Sequence, residues 1–162
     1  MTHHFLTTRI TSSRADPVEA DAVLARYARQ IERAFATLDS ASGETTHRWP
    51  QFLPGGGTVI FTAHAEPGRA GNVVAQTIDG RRSVLHRGGL FGRYAPSGHL
   101  LYLSDGKLFA APFDASALSV TGRASPVVEE VAHAMLSGTA QYSFSNTGLL
   151  TYQRDRSRNR VL

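Results

Sequence analysis

At 162 residues the chain is the size of one ordinary domain, and its 41% hydrophobic and 19% charged residues describe a globular protein, excluding a fibrous or wholly disordered one. The absence of cysteine excludes disulfides and thiolate metal sites, and no run reaches the ~18 apolar residues of a transmembrane helix. A net charge of +4 and a sequence pI near 10.0 invite a nucleic-acid reading. Against it, Lys107 is the single lysine and the arginines are scattered rather than massed on one element.

The opening stretch MTHHFLTTRITSSRADP lacks the apolar core and small-residue cleavage site of a secretory signal, and residues 1–15 read as a flexible terminus. From Asp16 to Leu38 the pattern is that of one amphipathic helix. Asp16 caps it, Pro17 suits its first position and Glu19 completes a capping box. Leu24, Tyr27, Ala28, Ile31, Phe35 and Leu38 recur at spacings of three and four and form one apolar stripe. That stripe has to be buried, either on the rest of its own domain or on a partner or second copy; only part of the basic face that a membrane-surface helix uses is present. DSASGETT, residues 39–46, is small and polar and reads as a linker.

Beyond the linker the period changes to two. TVIFTA, NVVAQTI, HLLYLS, KLFAAPF, SPVVEEV and GLLTYQ are short apolar or alternating segments separated by glycine, proline, asparagine and aspartate, which predicts a run of antiparallel strands and no helix after residue 45. Asp105-Gly106 and Asp79-Gly80 each predict a tight hairpin with a type I′ turn.

The strand-rich part repeats. FLPGGGTVIF from Phe52, YAPSGHLLY from Tyr94 and FSNTGLLTY from Phe144 share an aromatic, a proline or asparagine, a glycine and an apolar pair followed by a second aromatic. Their starts lie 42 and 50 residues apart, the spacing of four-stranded propeller blades. The structural positions of the repeat are Phe52, Gly56 and Phe61, then Tyr94, Gly98 and Tyr102, then Phe144, Gly148 and Tyr152. An aromatic ends one strand, the proline or asparagine opens a turn, and the glycine takes the positive φ. The Gly55–Gly57 cluster is therefore a turn rather than a phosphate cradle, since no Lys-Ser or Lys-Thr follows it and a strand, not a helix, comes next.

HRWPQFLPGGGTVIFTA, NVVAQTIDGRRSVLHRGG, GRYAPSGHLLYLSDGKLFAAPFD, VTGRASPVVEEV and AQYSFSNTGLLTYQ resemble the WD-repeat-like, TolB-type β-propeller found C-terminal to the kinase domain in many bacterial serine/threonine protein kinases. The resemblance spans about residues 46–162, and GKLFAAPFD is its most specific phrase. It implies a non-catalytic sensing or protein-interaction propeller and carries over no catalytic residue. Propellers close with about four to eight blades. Residues 47–162 supply about two and a half by repeat spacing, so the expected architecture is mainly β: an incomplete propeller of antiparallel four-stranded blades preceded by one amphipathic α-helix.

Chemical alternatives find little support. His47, His64, His86, His99 and His133 show no metal-ligand spacing and read as surface or rim histidines, while His3 and His4 sit at the terminus. No G-x-S-x-G elbow occurs, and Ser97, Ser104 and Ser137 read as turn serines. QRDRSRN only mimics a kinase catalytic loop, and Glu129 and Glu130 would point to opposite faces of a strand. Arg154, Arg156, Arg158 and Arg160 alternate, and in a strand would share one face, either a solvated edge that discourages strand pairing or a surface for an acidic partner. Trp49 and the repeated aromatics read as intersheet core rather than a base-stacking platform.

The functional expectation is a non-catalytic protein-interaction or ligand-sensing module. The alternative is a fragment of a larger bacterial signalling protein, the sensor region of a receptor-type serine/threonine kinase, with no activity of its own. A hydrolase-associated propeller comes third. No cofactor or metal is expected, and the partners expected are a protein or a second copy in a homodimer, not nucleic acid. With neither signal nor membrane segment the chain reads as cytoplasmic, although the parent family often carries its propeller outside the cytoplasm.

Overall fold

The computed structural model describes residues 37–66 and 68–155, together with Ala22 and Ala25. The helix expected over residues 16–38 lies outside them, apart from Ala22 and Ala25, whose backbone is helical, and Thr37 and Leu38, whose backbone is not. Asp39 explains why Leu38 is not helical: it caps a new 3-10 turn, Ser40–Ser42, its carboxylate accepting from the Ser42 N–H at 3.3 Å. The segment read as a plain linker is thus a capped turn, and its last residue already belongs to the sheet.

Among the described residues twelve strands follow: β1 Thr46–Phe52, β2 Thr58–His64, β3 Gly71–Thr77, β4 Arg82–Ala95, β5 His99–Ser104, β6 Lys107–Asp114, β7 Ser119–Val120, β8 Ser125–Val128, β9 His133–Ala134, β10 Thr139–Ala140, β11 Tyr142–Phe144 and β12 Leu150–Tyr152. The architecture is mainly β and antiparallel. Strands β1 to β7 pair in chain order, and β8 also pairs with β6. Strand β4 is 14 residues long and serves two neighbours: Arg82–Gly89 pairs with β3, and Leu90–Ala95 pairs with β5. The ladder therefore consists of two successive four-stranded units, β1, β2, β3 and the first half of β4, then the second half of β4, β5, β6 and β8. Two hairpins, β9–β10 and β11–β12, form the beginning of a third.

Alternation along the strands sorts the side chains into three apolar layers. Leu53, Ile60, Val73 and Ala75 of the first unit meet Leu100, Tyr102, Ala111 and Phe113 of the second in one cluster. Leu101, Leu103 and Leu108, on the opposite face of the second unit, meet Val131, Ala140 and Tyr142 of the third. Val59, Phe61, Ala63 and Val74 form a cluster on the other face of the first unit. The repeat aromatics fall into these layers in order: Phe52 and Phe61 in the first unit's outer cluster, Tyr94 and Tyr102 in the next, Phe144 in the last. Each aromatic thus faces the preceding layer, which is why the same residue type recurs. Tyr152 departs from the expectation of a core role, being 48% exposed, because β12 has no strand on its far side among the described residues.

The repeat turns are equally alike. The Gly56, Gly98 and Gly148 N–H groups donate to the carbonyls of Leu53, Ala95 and Ser145 at 3.0, 3.0 and 3.2 Å, and the glycine φ values are 68°, 77° and 90°. The Asp105-Gly106 turn has positive φ at both positions, 49° and 76°, as a type I′ turn requires. At Asp79-Gly80 only the glycine is left-handed. That loop runs over Ile78–Gly80, with Gly80 N–H bonding the Thr77 carbonyl at 3.0 Å, so it is a one-residue-longer glycine-bulge hairpin rather than the expected type I′ turn.

The two units pack tightly at Gly92, where a Cβ would lie 2.3 Å from Val73 Cγ1. Replacing Gly92 by Ala is expected to destabilise the fold by about 1–3 kcal/mol through overpacking. In the Val73→Ala background the same replacement is expected to cost about 1 kcal/mol less, read as a coupling energy from urea unfolding of the four proteins in the cycle.

Candidate binding cleft

Strand β1, the second half of β4, and β11 contribute lining to the same cavities and are termed the inner strands of the three units. Both longer ones are bulged. The β1–β2 register shifts between Arg48 and Gln51. The β4–β5 register shifts between Leu90 and Arg93. Trp49 and Phe91, the aromatic residues within the bulges, have left-handed backbones with φ of 59° and 51°, an expensive conformation for bulky side chains. They stand 42 residues apart, the repeat spacing. Their rings meet edge to face at 5.3 Å, and Phe91 meets Tyr142 of β11 in the same way at 5.3 Å. The Tyr142 hydroxyl, buried at the centre, donates to the Phe91 carbonyl at 2.6 Å, and burial pushes its pKa well up, so it stays protonated.

Next to this aromatic knot the residue before each repeat aromatic lines one shared cavity: Gln51 on β1, Arg93 on β4 and Ser143 on β11. Its volume is 220 Å³, and cavities of 470 Å³ on the Trp49 side and 500 Å³ on the Pro54–Gly56 side share lining residues with it, making one cleft along the inner strands. Gln51 acts as a piece of backbone. Its amide donates to the Tyr94 carbonyl at 3.0 Å and accepts from the Tyr94 N–H at 2.7 Å, stitching β1 to β4. Arg93 is different: half-buried, it lies over the Phe91 ring at 4.7 Å and makes no hydrogen bond or ion pair with any described residue. Burial draws its pKa down, and the nearby Tyr142 opposes that shift. The sequence reading missed these three positions. The signal was present in the repeat itself, as Gln-Phe, Arg-Tyr and Ser-Phe before each turn.

Of the arginine run placed in a shared strand face, Arg154 does not line these cavities. Arg154 forms an ion pair with Glu130 at 2.7 Å and lies opposite Val131 in a single bridge, whereas Arg156, Arg158 and Arg160 lie outside the described residues. Glu129 and Glu130 are not in a strand; they follow β8 in a bend and pair with Lys107 and Arg154 respectively.

Two histidines correct the surface reading. His47 and Glu44 have side chains only 1% and 5% exposed, and they pair at 2.9 Å. The other Glu44 oxygen takes Arg82, whose guanidinium caps the Phe61 ring. Glu44 thus ties the capped turn to strands β1 and β4. His64, 3% exposed, sits under Gly138, where a Cβ would lie 2.4 Å from its Nε2. Here the β9–β10 loop docks on the first unit: Arg48 donates to the Leu136 carbonyl, and the Trp49 indole donates to the Ser137 carbonyl at 3.0 Å. The polar partners of these loop carbonyls come from β1, so the third unit is held by the first as well as the second.

Comparison with known proteins found no matching family, no matching curated protein and no matching solved structure. Among the described residues no three histidine, cysteine, aspartate or glutamate side chains lie together in a metal-binding arrangement, and no helix is long and apolar enough to cross a membrane.

Burial holds the His47, His64 and His86 imidazoles below their ordinary 6.5, against the pull of Glu44 in the case of His47. The folded state therefore binds fewer protons than the unfolded chain just below that value, and stability falls with acidification. Melting temperature is expected to be flat between about pH 7 and pH 9 and to decline from about pH 6.5 toward pH 5. His64→Gln is expected to make that decline visibly shallower in scanning calorimetry across the same range; an unchanged slope would assign the effect to other groups.

Proposed function

We propose that the chain is a non-catalytic binding module built from WD-repeat-like propeller blades, with its ligand surface in the cleft between the inner strands. What supports this most is a single observation: three equivalent strand positions, Gln51, Arg93 and Ser143, line one cavity while the equivalent aromatics and turn glycines build the frame around it. Strained aromatic residues flank that cavity on two of the three strands, and strain of this kind collects at ligand sites. The four-stranded units joined by a bent strand, stacked face on face at a repeat of 42 residues, support the blade reading.

A second reading makes the module the sensor part of a larger bacterial signalling protein of the receptor-type serine/threonine kinase kind, or one half of a homodimer. Leu149 at 66% exposure and Tyr152 at 48%, both on the β11–β12 hairpin, favour it, since a further unit or a second copy laid on that hairpin would cover apolar surface now exposed.

The test of the first reading is a small-molecule fragment screen by protein-detected NMR on the full chain. Binders are expected to perturb Gln51, Arg93 and Ser143. Ser143→Trp, which fills the smallest cavity, is expected to weaken them by about tenfold or more, about 1.4 kcal/mol, while leaving the fold intact by circular dichroism. Binders that map elsewhere and ignore the substitution would refute the cleft as the ligand surface.

A further inference from the structure

Arg93 stands apart from every other described cation. Arg69, Arg82, Arg154 and Lys107 pair with carboxylates, and Arg48 donates to a carbonyl. Arg81, Arg87 and Arg123 are exposed and can be satisfied by water. Arg93 alone of this set is half-buried without a protein acceptor, although a guanidinium carries five N–H donors. Its plane is already held by the Phe91 ring at 4.7 Å, so little freedom is lost when the outer edge of the fork is engaged. Its neighbours in the cavity, Ser143 and Asn146, likewise make no side-chain hydrogen bond to the described residues. Among the described residues no other charged side chain lines these three cavities; Arg154 and Asp155 line a fourth, which shares Tyr152 and Gln153 with the 470 Å³ cavity, and there Arg154 is already paired with Glu130.

We propose that Arg93, with Ser143 and Asn146 beside it in the inner-strand cleft, is the receptor for the carboxylate of an organic acid or of a peptide terminus. The proposal rests on the cleft being the ligand surface and names the chemistry that it takes. One cation with no second positive group matches one negative charge. A carboxylate supplies that charge in a planar, two-oxygen form that meets the guanidinium fork side on. A phosphate monoester carries about −1.5 to −2 at neutral pH and would leave excess charge in a cleft with nothing to balance it. Trp49, Phe91 and Tyr152, which line the adjoining 470 Å³ cavity, give the acid an apolar body to lie against.

The test titrates the full chain with phenylacetate, its neutral analogue phenylacetamide, inorganic phosphate, and an acetylated tripeptide ending in phenylalanine with a free or an amidated terminus. The readouts are backbone shifts and the Arg93 Nε–H resonance. Phenylacetate or the free-terminus tripeptide is expected to saturate and move that resonance; the better binder of the two identifies the source of the carboxylate. The amides and phosphate are expected to bind at least about tenfold more weakly. Arg93→Gln is expected to weaken the acid by at least about tenfold, and Arg93→Lys, which keeps the charge but loses the fork, by less. The melting temperature and spectrum of Arg93→Gln verify that it folds. Equal binding of acid and amide, tighter binding of phosphate, unchanged affinity in Arg93→Gln, or no binding of either acid would each overturn the proposal. Neutral fragments that bind in the cleft and are sensitive to Ser143→Trp but not to Arg93→Gln would leave the binding module standing without the carboxylate. A cleft that no probe perturbs would remove both.

Discussion

A strand that pairs with one neighbour along its first half and another along its second has to cross between two sheets, and β4 does so between Gly89 and Leu90. The outer strand of the first unit thereby becomes the inner strand of the second without an intervening loop. Because the crossing is covalent and short, the second unit has little freedom to slide, and its inner strand is delivered beside β1. The Gln51 amide bonded to Tyr94 and the close approach of Gly92 to Val73 both follow from that placement. So does the cleft, which exists because two bulged strands meet at their inner edges instead of merging into one flat sheet.

Apolar burial supplies the driving force for the stacking. The second unit has core residues on both faces, and a fully buried aliphatic side chain such as Leu100 or Leu103 contributes about 1.5–3 kcal/mol relative to exposure. Buried polar groups fix details that apolar contact leaves loose. Glu44 joins the capped turn to Arg82 and His47, and the Tyr142 hydroxyl hooks the third unit onto the backbone of the second. These groups hold the frame together, whereas Arg93 is held by a ring and bonded to no described residue.

The strand segments and the repeat were legible because they depend on local signals: alternation, and a turn glycine with a fixed backbone requirement. The pattern TVIFTA became β2, HLLYLS became β5, and the three repeat glycines took the predicted left-handed turns. What was hidden depends on contacts across the chain. His47 and His64 carry no sequence mark of burial; they are enclosed because Glu44 and the Gly138 loop fold over them. Asp79 looked like Asp105, yet the residue before it joined the loop and changed the turn. The bulges at Trp49 and Phe91 were concealed by side chains that rarely adopt left-handed backbone, so the cleft-lining residues two positions further on, Gln51 and Arg93, were read only as the approach to an aromatic.

The three inner-strand positions have a property that the rest of the repeat lacks. The aromatics and the glycines are nearly interchangeable from unit to unit, but the residue facing the cleft is a glutamine, an arginine and a serine in turn. The frame and the cleft lining are therefore written in different letters of the same repeat. Single substitutions at these three positions would change the chemistry of the shared cavity while the aromatic and glycine frame around it keeps its shape.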